Sequence, residues 1–545
     1  MGQSAFDYKL QTPFFSVDID LVRAFYAAVI ILVVDRVVAF QKKRRSLSYL
    51  PGIRSPFSPI SPIGALVATR WWQAAVNVNW VRRARLYTTT ETIASTPWLS
   101  GPPLLYTSNL DVAKQIISIG QSKSQFGKTP ETSASSNFFG DNVLSTEGEE
   151  WKKHRKILSP AFGNALYQLV WDESLKTYRD MVSAEGWIGQ KSIDVPELQK
   201  ATFKFALIVL GTCAFGFDFD WVAPPRVANG EMSVQEAMRV VVDNWIFFGF
   251  APGWVKRLPI KTISTWCRAA DQLERFMQDQ VTMRREEIRG YAQGEYRKKD
   301  AFSMLVQANE SDENARNKLS DRDLIGNVFV MLFAGHETTA NTLAATLALL
   351  AINPEAQDEV LKHIIDVVGW DRDPTFADYN DLNKVLAAFF EALRLFPPAY
   401  MMIRAATEDI VLDIPKPRGE EGVQPCHVPK GVWTVVDMIG MYRNPRYFED
   451  AEEYRPSRWH TTPNDSEQFT AFSFGPRACI GRKFATTEAI CFLTMLLRDF
   501  EVEPLLERGE TLEEWKGRVL DVDAGFTLAI RNVPVRFVRR ERPRA

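Results

Sequence analysis

Cys479 lies in Phe472-Ser473-Phe474-Gly475-Pro476-Arg477-Ala478-Cys479-Ile480-Gly481, a glycine-pinched loop just ahead of an apolar run, Ala485 to Leu497, that predicts a helix. A cysteine at that address meets free N–H groups and the positive end of a helix dipole, which favour S⁻ over SH. A thiolate is also an axial ligand that pushes electron density onto a macrocycle-bound iron. Gly475 and Gly481 would permit a tight turn and close backbone approach to a flat group. Arg477 offers a fixed positive charge to a carboxylate. A lone cysteine is more often a buried small hydrophobe than a ligand. Five constrained positions within ten residues, ahead of a helix, tip the balance towards a ligand.

Three other constellations could do chemistry. Ala334-Gly335-His336-Glu337-Thr338-Thr339 sets a carboxylate beside a hydroxyl, a pair that can relay protons. Gly335 and the Thr338 hydroxyl, which can bond back to a carbonyl, favour a local opening of the helix. His336 reads as structural rather than as a second metal ligand. Trp151 and Arg155 stand at i and i+4, so an indole N–H and a guanidinium share one helix face as donors for a carboxylate. Glu391 and Arg394 stand at i and i+3 in an apolar helix, Leu386 to Phe396. Taken singly, each has a plainer meaning: a packing helix, a basic surface helix, or an exposed ion pair worth a few tenths of a kcal/mol.

Together they are more specific. The cysteine loop matches F-x-x-G-x-R-x-C-x-G without departure. With W-x-x-x-R, A-G-x-E-T-T and E-x-x-R ahead of it in the right order, the chain resembles the cytochrome P450 family from Trp151 to Gly481. The resemblance implies a mainly α fold with a small β region and a long central helix over a b-type haem (iron protoporphyrin IX). It implies Cys479 as the iron ligand. Trp151, Arg155, Arg404 and Arg477 would face the propionates, with Phe472 and Gly481 at the cofactor. Glu337 and Thr338 would be the acid–alcohol pair of oxygen activation. Glu391 and Arg394 would form a buried network with Arg458, in Tyr454-Arg455-Pro456-Ser457-Arg458-Trp459, where Tyr and Trp stand for the usual Phe and Ser for Glu. Tyr400, Met401, Met402 and the turn at Gly525-Phe526 would line the pocket.

The implied reaction inserts one atom of O₂ into an apolar organic substrate, the other leaving as water. The alternatives are an isomerase or lyase of the same fold acting on peroxides, and a non-catalytic haem protein. The stretch after Cys479 is too short for a fused flavoprotein, so a separate NADPH-dependent reductase is expected, with cytochrome b5 as a further donor. Lys152, Lys153 and Lys156 would enrich positive charge for docking an acidic donor.

The rest of the chain must position these residues. Its 545 residues are 46% hydrophobic and 24% charged with a net charge of −2, enough for a large core and no basis for a nucleic-acid partner. Five cysteines, with no C-x-x-C, indicate neither a zinc site nor a disulfide framework. Ala24 to Phe40 is apolar but for Asp35 and Arg36, about 25 Å as a helix, and Lys42-Lys43-Arg44-Arg45 follows. Asp18 and Asp20 precede it, so the positive-inside rule puts the body in the cytoplasm; a single membrane anchor, expected at the endoplasmic reticulum, is read ahead of the alternative, a helix that lies in the membrane interface. The expected division is an anchor segment over 1–45, a proline-rich linker over 46–62 and a catalytic domain over 63–545. Pro103 to Thr107 predicts a strand and Ala201 to Phe219 a buried helix. Ser122 to Gly140 reads as an ordinary solvated loop; the resemblance implies a substrate-contacting loop here, which makes Phe126, Phe138 and Phe139 pocket candidates. Trp245 to Val255 reads as core, with a pocket-covering flap as the second reading, and Gly290 to Asp300 as a polar hinge. Ser320 to Asp323 looks like a capping box opening a helix that Asn353-Pro354 stops near Ile352.

Overall fold

The computed structural model describes residues 7–12, 15–47, 50–61, 63–64, 67–117, 125–134, 136–217, 219–222, 232–290, 300–310, 318–462 and 469–541. The expected hinge between Gly290 and Asp300 lies, but for its two ends, outside the described residues. The chain divides into two compact units, Met1–Ile116 with Ala405–Val436, and Ile117–Arg404 with Asp437–Ala545.

The first unit holds the N-terminal helix and a small sheet. The helix runs from Leu21 to Leu47, longer than the apolar run that announced it. Its membrane-like portion, Arg23–Lys42, has no buried residue and is 20 residues long, about 30 Å, close to the hydrocarbon thickness of a bilayer. Asp35 and Arg36, which interrupt the apolar run, pair with each other (2.5 Å). Such pairing lowers the cost of carrying two charges into lipid. Gly52–Phe57, within the stretch expected to be a linker, is a strand parallel to Thr92–Ser100, and its register shifts between Ser55 and Phe57, around Pro56. A Cβ on Gly52 would lie 1.8 Å from the Ala94 carbonyl oxygen, so only glycine fits there. Leu104–Thr107, the expected strand, pairs antiparallel with Thr92–Ser100 and parallel with Trp433–Asp437.

The second unit is mainly helical and is built on the helix Asp321–Ala351. Ser320 and Asp323 close the capping box in both directions, and Pro354 opens the next helix. Thr339 to Ala351 is buried throughout. The threonines satisfy themselves: half-buried Thr338 and buried Thr339, Thr342 and Thr346 each donate to the carbonyl four residues back. The expected opening at Gly335 is absent, and the helix is continuous. The glycine serves packing instead, because a Cβ there would stand 2.8 Å from Leu210 of the buried helix Leu198–Phe215. The post-cysteine helix, Arg482–Asp499, is buried along nearly its whole length.

Candidate active site

The cysteine loop is a backbone device. The Cys479 N–H donates to the Phe472 carbonyl (2.8 Å) and the Ala478 N–H to Gly475 (3.0 Å), folding the segment back on itself. Gly475 takes φ +67°, as its residue type allowed. Gly481 has an ordinary φ of −86°, and its missing side chain leaves room beside sulfur instead, a Cβ there falling 3.9 Å from Cys479 Sγ. Ser473, at φ +59° and ψ −177°, sits where side chains are seldom found. Sequence reasoning missed this strain, because serine carries no signal for that conformation. The Cys479 side chain is accessible from outside, and the protein packed around it pushes its thiol pKa up, opposed by the Gly481 N–H and the charges of Arg155 and Arg482. The helix address alone therefore does not make a standing thiolate; a metal ion would.

Two aromatic steps tie this loop to a buried ion network. Glu391 and Arg394 are fully buried and pair twice (2.8 and 2.9 Å). Arg394 also donates to the carbonyls of Tyr442, Ala451 and Glu453. Arg458 Nε (3.2 Å), the Trp459 indole (2.8 Å) and the Arg455 N–H (3.0 Å) all donate to Glu391. Trp459 thus supplies a donor that a phenylalanine would lack. Its ring meets Phe469 edge-on (5.0 Å between centroids), and Phe469 stacks on Phe390 (4.0 Å), the residue before Glu391. Phe472 packs beside both rings.

On the other side of the loop four cations gather. Trp151 and Arg155 share one face of the helix Gly148–Leu158. Arg155 Nη1 donates to the Ala478 carbonyl (3.2 Å), and the Arg477 guanidinium lies 4.3 Å over the Trp151 ring. Arg477 also donates to Val143 and Thr146, while its Nε is buried without an acceptor. Arg404, half-buried on the strand Met401–Ala406, adds its charge to the same cluster. The fourth, Lys128, was not foreseen: burial, then the charges of Arg477 and Arg404, lower its pKa to about 7. A lone lysine in a Ser/Thr-rich loop carries no signal by type or spacing. Burial, then Arg404, likewise lower Arg477 to about 10, with Glu147 opposing. Asn327 of the long helix pins the segment between these groups, accepting from the Val143 N–H (3.0 Å) and contacting His154 Nδ1 (2.7 Å).

Such a cluster fits a group with two carboxylates. Without that group it is strained: Lys128 is charged in the unfolded chain up to its ordinary value and neutral in the folded one above about 7. The cost of the buried charge is therefore fully present below pH 7 and fades towards pH 10. Lys128→Met should raise the Tm of cofactor-free protein by a few degrees at pH 6 and by less at pH 9, and lower it in cofactor-loaded protein. Thermal melts of both forms at both pH values test this.

The acid and the alcohol do not meet. Glu337 is bonded to the Thr527 hydroxyl, and Thr338 donates to Ala334 (2.8 Å). Burial raises the Glu337 pKa against the Thr527 bond, with a smaller push from Asp243. His336 is buried, its Nδ1 on the Leu332 carbonyl (2.6 Å) and its pKa about 4, as a structural histidine should be. Near this helix an apolar cleft is lined by Phe138, Trp245, Phe329, Phe333, Phe526 and Val242, with Ser136 its polar member. Trp245 belongs to the helix Trp245–Phe250, which has no buried residue, and Trp254 is 67% exposed, so the segment expected as core lies outside it, with Trp245 at the cleft wall. Phe139 packs on Phe329 while Phe126 is buried in the two-residue strand Phe126–Gly127, away from the cleft lining. Tyr400 does not line the cleft; its hydroxyl donates to Gly525 (3.0 Å). The Ser473 hydroxyl approaches Met402 sulfur (3.7 Å). Lys152 and Lys153 are paired with Glu149 and Glu150, so the positive face expected there is largely neutralised.

The cytochrome P450 profile matches residues 87–525. A cytochrome P450 monooxygenase of Postia placenta is 34% identical over 78% of this chain and 82% of its own length. Another from Arthrobotrys oligospora is 26% identical over 69% and 71%, and human cytochrome P450 4V2 is 27% identical over 76% and 77%. Among solved structures, a crystal structure of the cytochrome P450DA heme domain superposes with a TM-score of 0.67 at 20% identity, covering 90% of this chain and 98% of that one. The strained cation cluster beside the loop cysteine thus falls on a chain that belongs to the cytochrome P450 family, the oxidoreductases that incorporate oxygen with a haem-thiolate iron cofactor.

Proposed function

We propose that the chain is a single-pass, membrane-anchored monooxygenase that inserts one oxygen atom of O₂ into a small apolar organic molecule. Cys479 is the thiolate ligand, and Glu337 with Thr338 delivers protons. The reading rests on the four cations around the Cys479 loop, with a buried guanidinium nitrogen lacking an acceptor, a charge set that two propionates would partly neutralise. The haem, when bound, supplies the oxygen activation that no side chain here can.

The chain's own residues do the rest. Arg155, Arg404, Arg477 and Lys128 bind and orient the carboxylates, and Trp151 backs Arg477. The aromatic cleft excludes water and offers no charged lining residue, which suits a neutral substrate such as a terpenoid, lipid or xenobiotic of secondary or defensive metabolism. Glu337, its pKa raised by burial, holds a proton closer to working pH than a surface carboxylate does. The exposed apolar helix Arg23–Lys42 supports a membrane anchor within residues 1–45, which we place at the endoplasmic reticulum; the stretch over 46–62 joins it to the catalytic domain over 63–545 and lends the strand Gly52–Phe57 to the sheet. Electrons come from a separate NADPH-dependent flavoprotein, with cytochrome b5 as a second donor.

Reduced protein under carbon monoxide should give the red-shifted thiolate–haem band. With reductase, NADPH and O₂ it should then oxidise members of an apolar panel. A proper band with no product from any panel member that binds would sink the monooxygenase reading in favour of a carrier, and turnover of a peroxide alone would favour the isomerase. Thr338→Ala should lower product per NADPH by on the order of tenfold or more, with peroxide released instead. Unchanged coupling would remove Thr338 from proton delivery.

A further inference from the structure

The hairpin that pairs Val522–Ala524 with Leu528–Ile530 presents two neighbouring side chains to two successive turns of the long helix. Phe526 meets Phe333 edge-on (5.0 Å between centroids) and Trp245 likewise (5.7 Å), within the cleft. Thr527 bonds Glu337, four residues on from Phe333. The flanks of the tip are fixed by backbone-directed bonds: Tyr400 Oη donates to Gly525 (3.0 Å), the Leu528 N–H to Pro398 (2.9 Å), and the Gly525 N–H to Thr527 across the turn (3.0 Å). An object entering the cleft meets the ring of Phe526, and a peptide so short and so pinned cannot move that ring without moving the next side chain.

We propose that Thr527 is a positioning residue that holds the Glu337 carboxylate against the hairpin while the cleft is empty of substrate, and that a substrate displacing Phe526 draws Thr527 away and frees Glu337 for proton delivery. The inference rests on the proton role given to Glu337 above. Its chemistry is consistent in sign. A hydroxyl donating to the carboxylate favours the ionised form, against burial and the charge of Asp243 on the helix Val234–Asp243. His336, beside it in sequence, stays neutral, and Asp523 of the hairpin is exposed and turned to Arg531 (3.7 Å). Withdrawing Thr527 leaves a buried carboxylate short of a donor, which takes up a proton from water and can then give it up. Proton supply would so be tied to a filled cleft.

Infrared titration of the haem-loaded full chain, with Glu337→Gln identifying the carboxyl band, reads this directly. Thr527→Val should move the Glu337 midpoint up by about one pH unit, the worth of a hydrogen bond to a charged group, and Thr527→Ser should restore it. Phe526→Ala, which removes the ring that reports occupancy but keeps the Thr527 bond, should leave the substrate-free midpoint in place and abolish the upward shift that bound substrate gives the unaltered chain. With reductase, substrate-free NADPH oxidation should rise several-fold in Thr527→Val and not in Thr527→Ser. An unmoved midpoint in a Thr527→Val protein that melts normally overturns the proposal while leaving the monooxygenase reading intact. A moved midpoint combined with unaltered coupling in Glu337→Gln overturns the proposal together with the proton role of Glu337, since the contact would then hold a carboxyl that delivers nothing, while the coupled product keeps the monooxygenase reading.

Discussion

Cys479→Ala should remove the red-shifted carbon monoxide band completely and bring oxygenation to background, while the protein still folds. The two halves of this result have separate causes. The side chain of Cys479 is accessible rather than packed in the core, so its truncation leaves no cavity and should cost less than about 1 kcal/mol. The loop is held by other bonds, Cys479 N–H to Phe472, Ala478 N–H to Gly475 and Arg155 to the Ala478 carbonyl, and alanine keeps all three. Only the sulfur is lost. The cation cluster would still bind carboxylates, so a weakened, thiolate-free cofactor complex is the expected residue. Cys213, Cys426 and Cys491 are buried and Cys267 half-buried at other places, and their single alanine variants should keep the band. A band that survives Cys479→Ala and disappears with one of the others would reassign the ligand.

Spacing made part of this site readable and concealed the rest. Trp151 with Arg155, and Glu391 with Arg394, are pairs on one helix face, so periodicity alone predicts that they project together, and they do. The capping box Ser320–Asp323 and the stop at Pro354 fix the long helix by local chemistry, and its ends fall within a residue of expectation. What sequence could not give were contacts between distant segments. Thr527 lies 190 residues from Glu337, and Lys128 joins Arg404 and Arg477 only through the fold. Glu337 and Thr338, the expected acid–alcohol pair, do not bond each other, because neighbours on a helix point about 100° apart and each has its own partner, Thr527 and the Ala334 carbonyl. Trp245 to Val255 misled because apolar content does not separate a core segment from a cleft wall; both bury apolar surface, one against protein and one against a ligand.

Arg394→Leu should unfold a large share of the protein and cost about 3–5 kcal/mol, the range for removing one partner of a buried ion pair. Against a total stability on the order of 5–15 kcal/mol, that lowers the yield of folded, cofactor-loaded protein and drops the denaturant midpoint sharply. The size follows from what is stranded. Glu391 keeps Arg458, the Trp459 indole and the Arg455 N–H but loses its two shortest charged bonds. The carbonyls of Tyr442, Ala451 and Glu453 lose their donor inside the protein. Arg394→Lys should fare nearly as badly, because one ammonium cannot span five acceptors set out for a planar fork. The double variant Glu391→Leu, Arg394→Leu should recover part of the loss, since no carboxylate remains buried without its partner. The molecules of Arg394→Leu that do fold should show an unaltered carbon monoxide band position, because the network reaches the cysteine only through Trp459, Phe390 and Phe469. A shifted band at normal stability would mean that the network tunes the thiolate and does more than hold its loop.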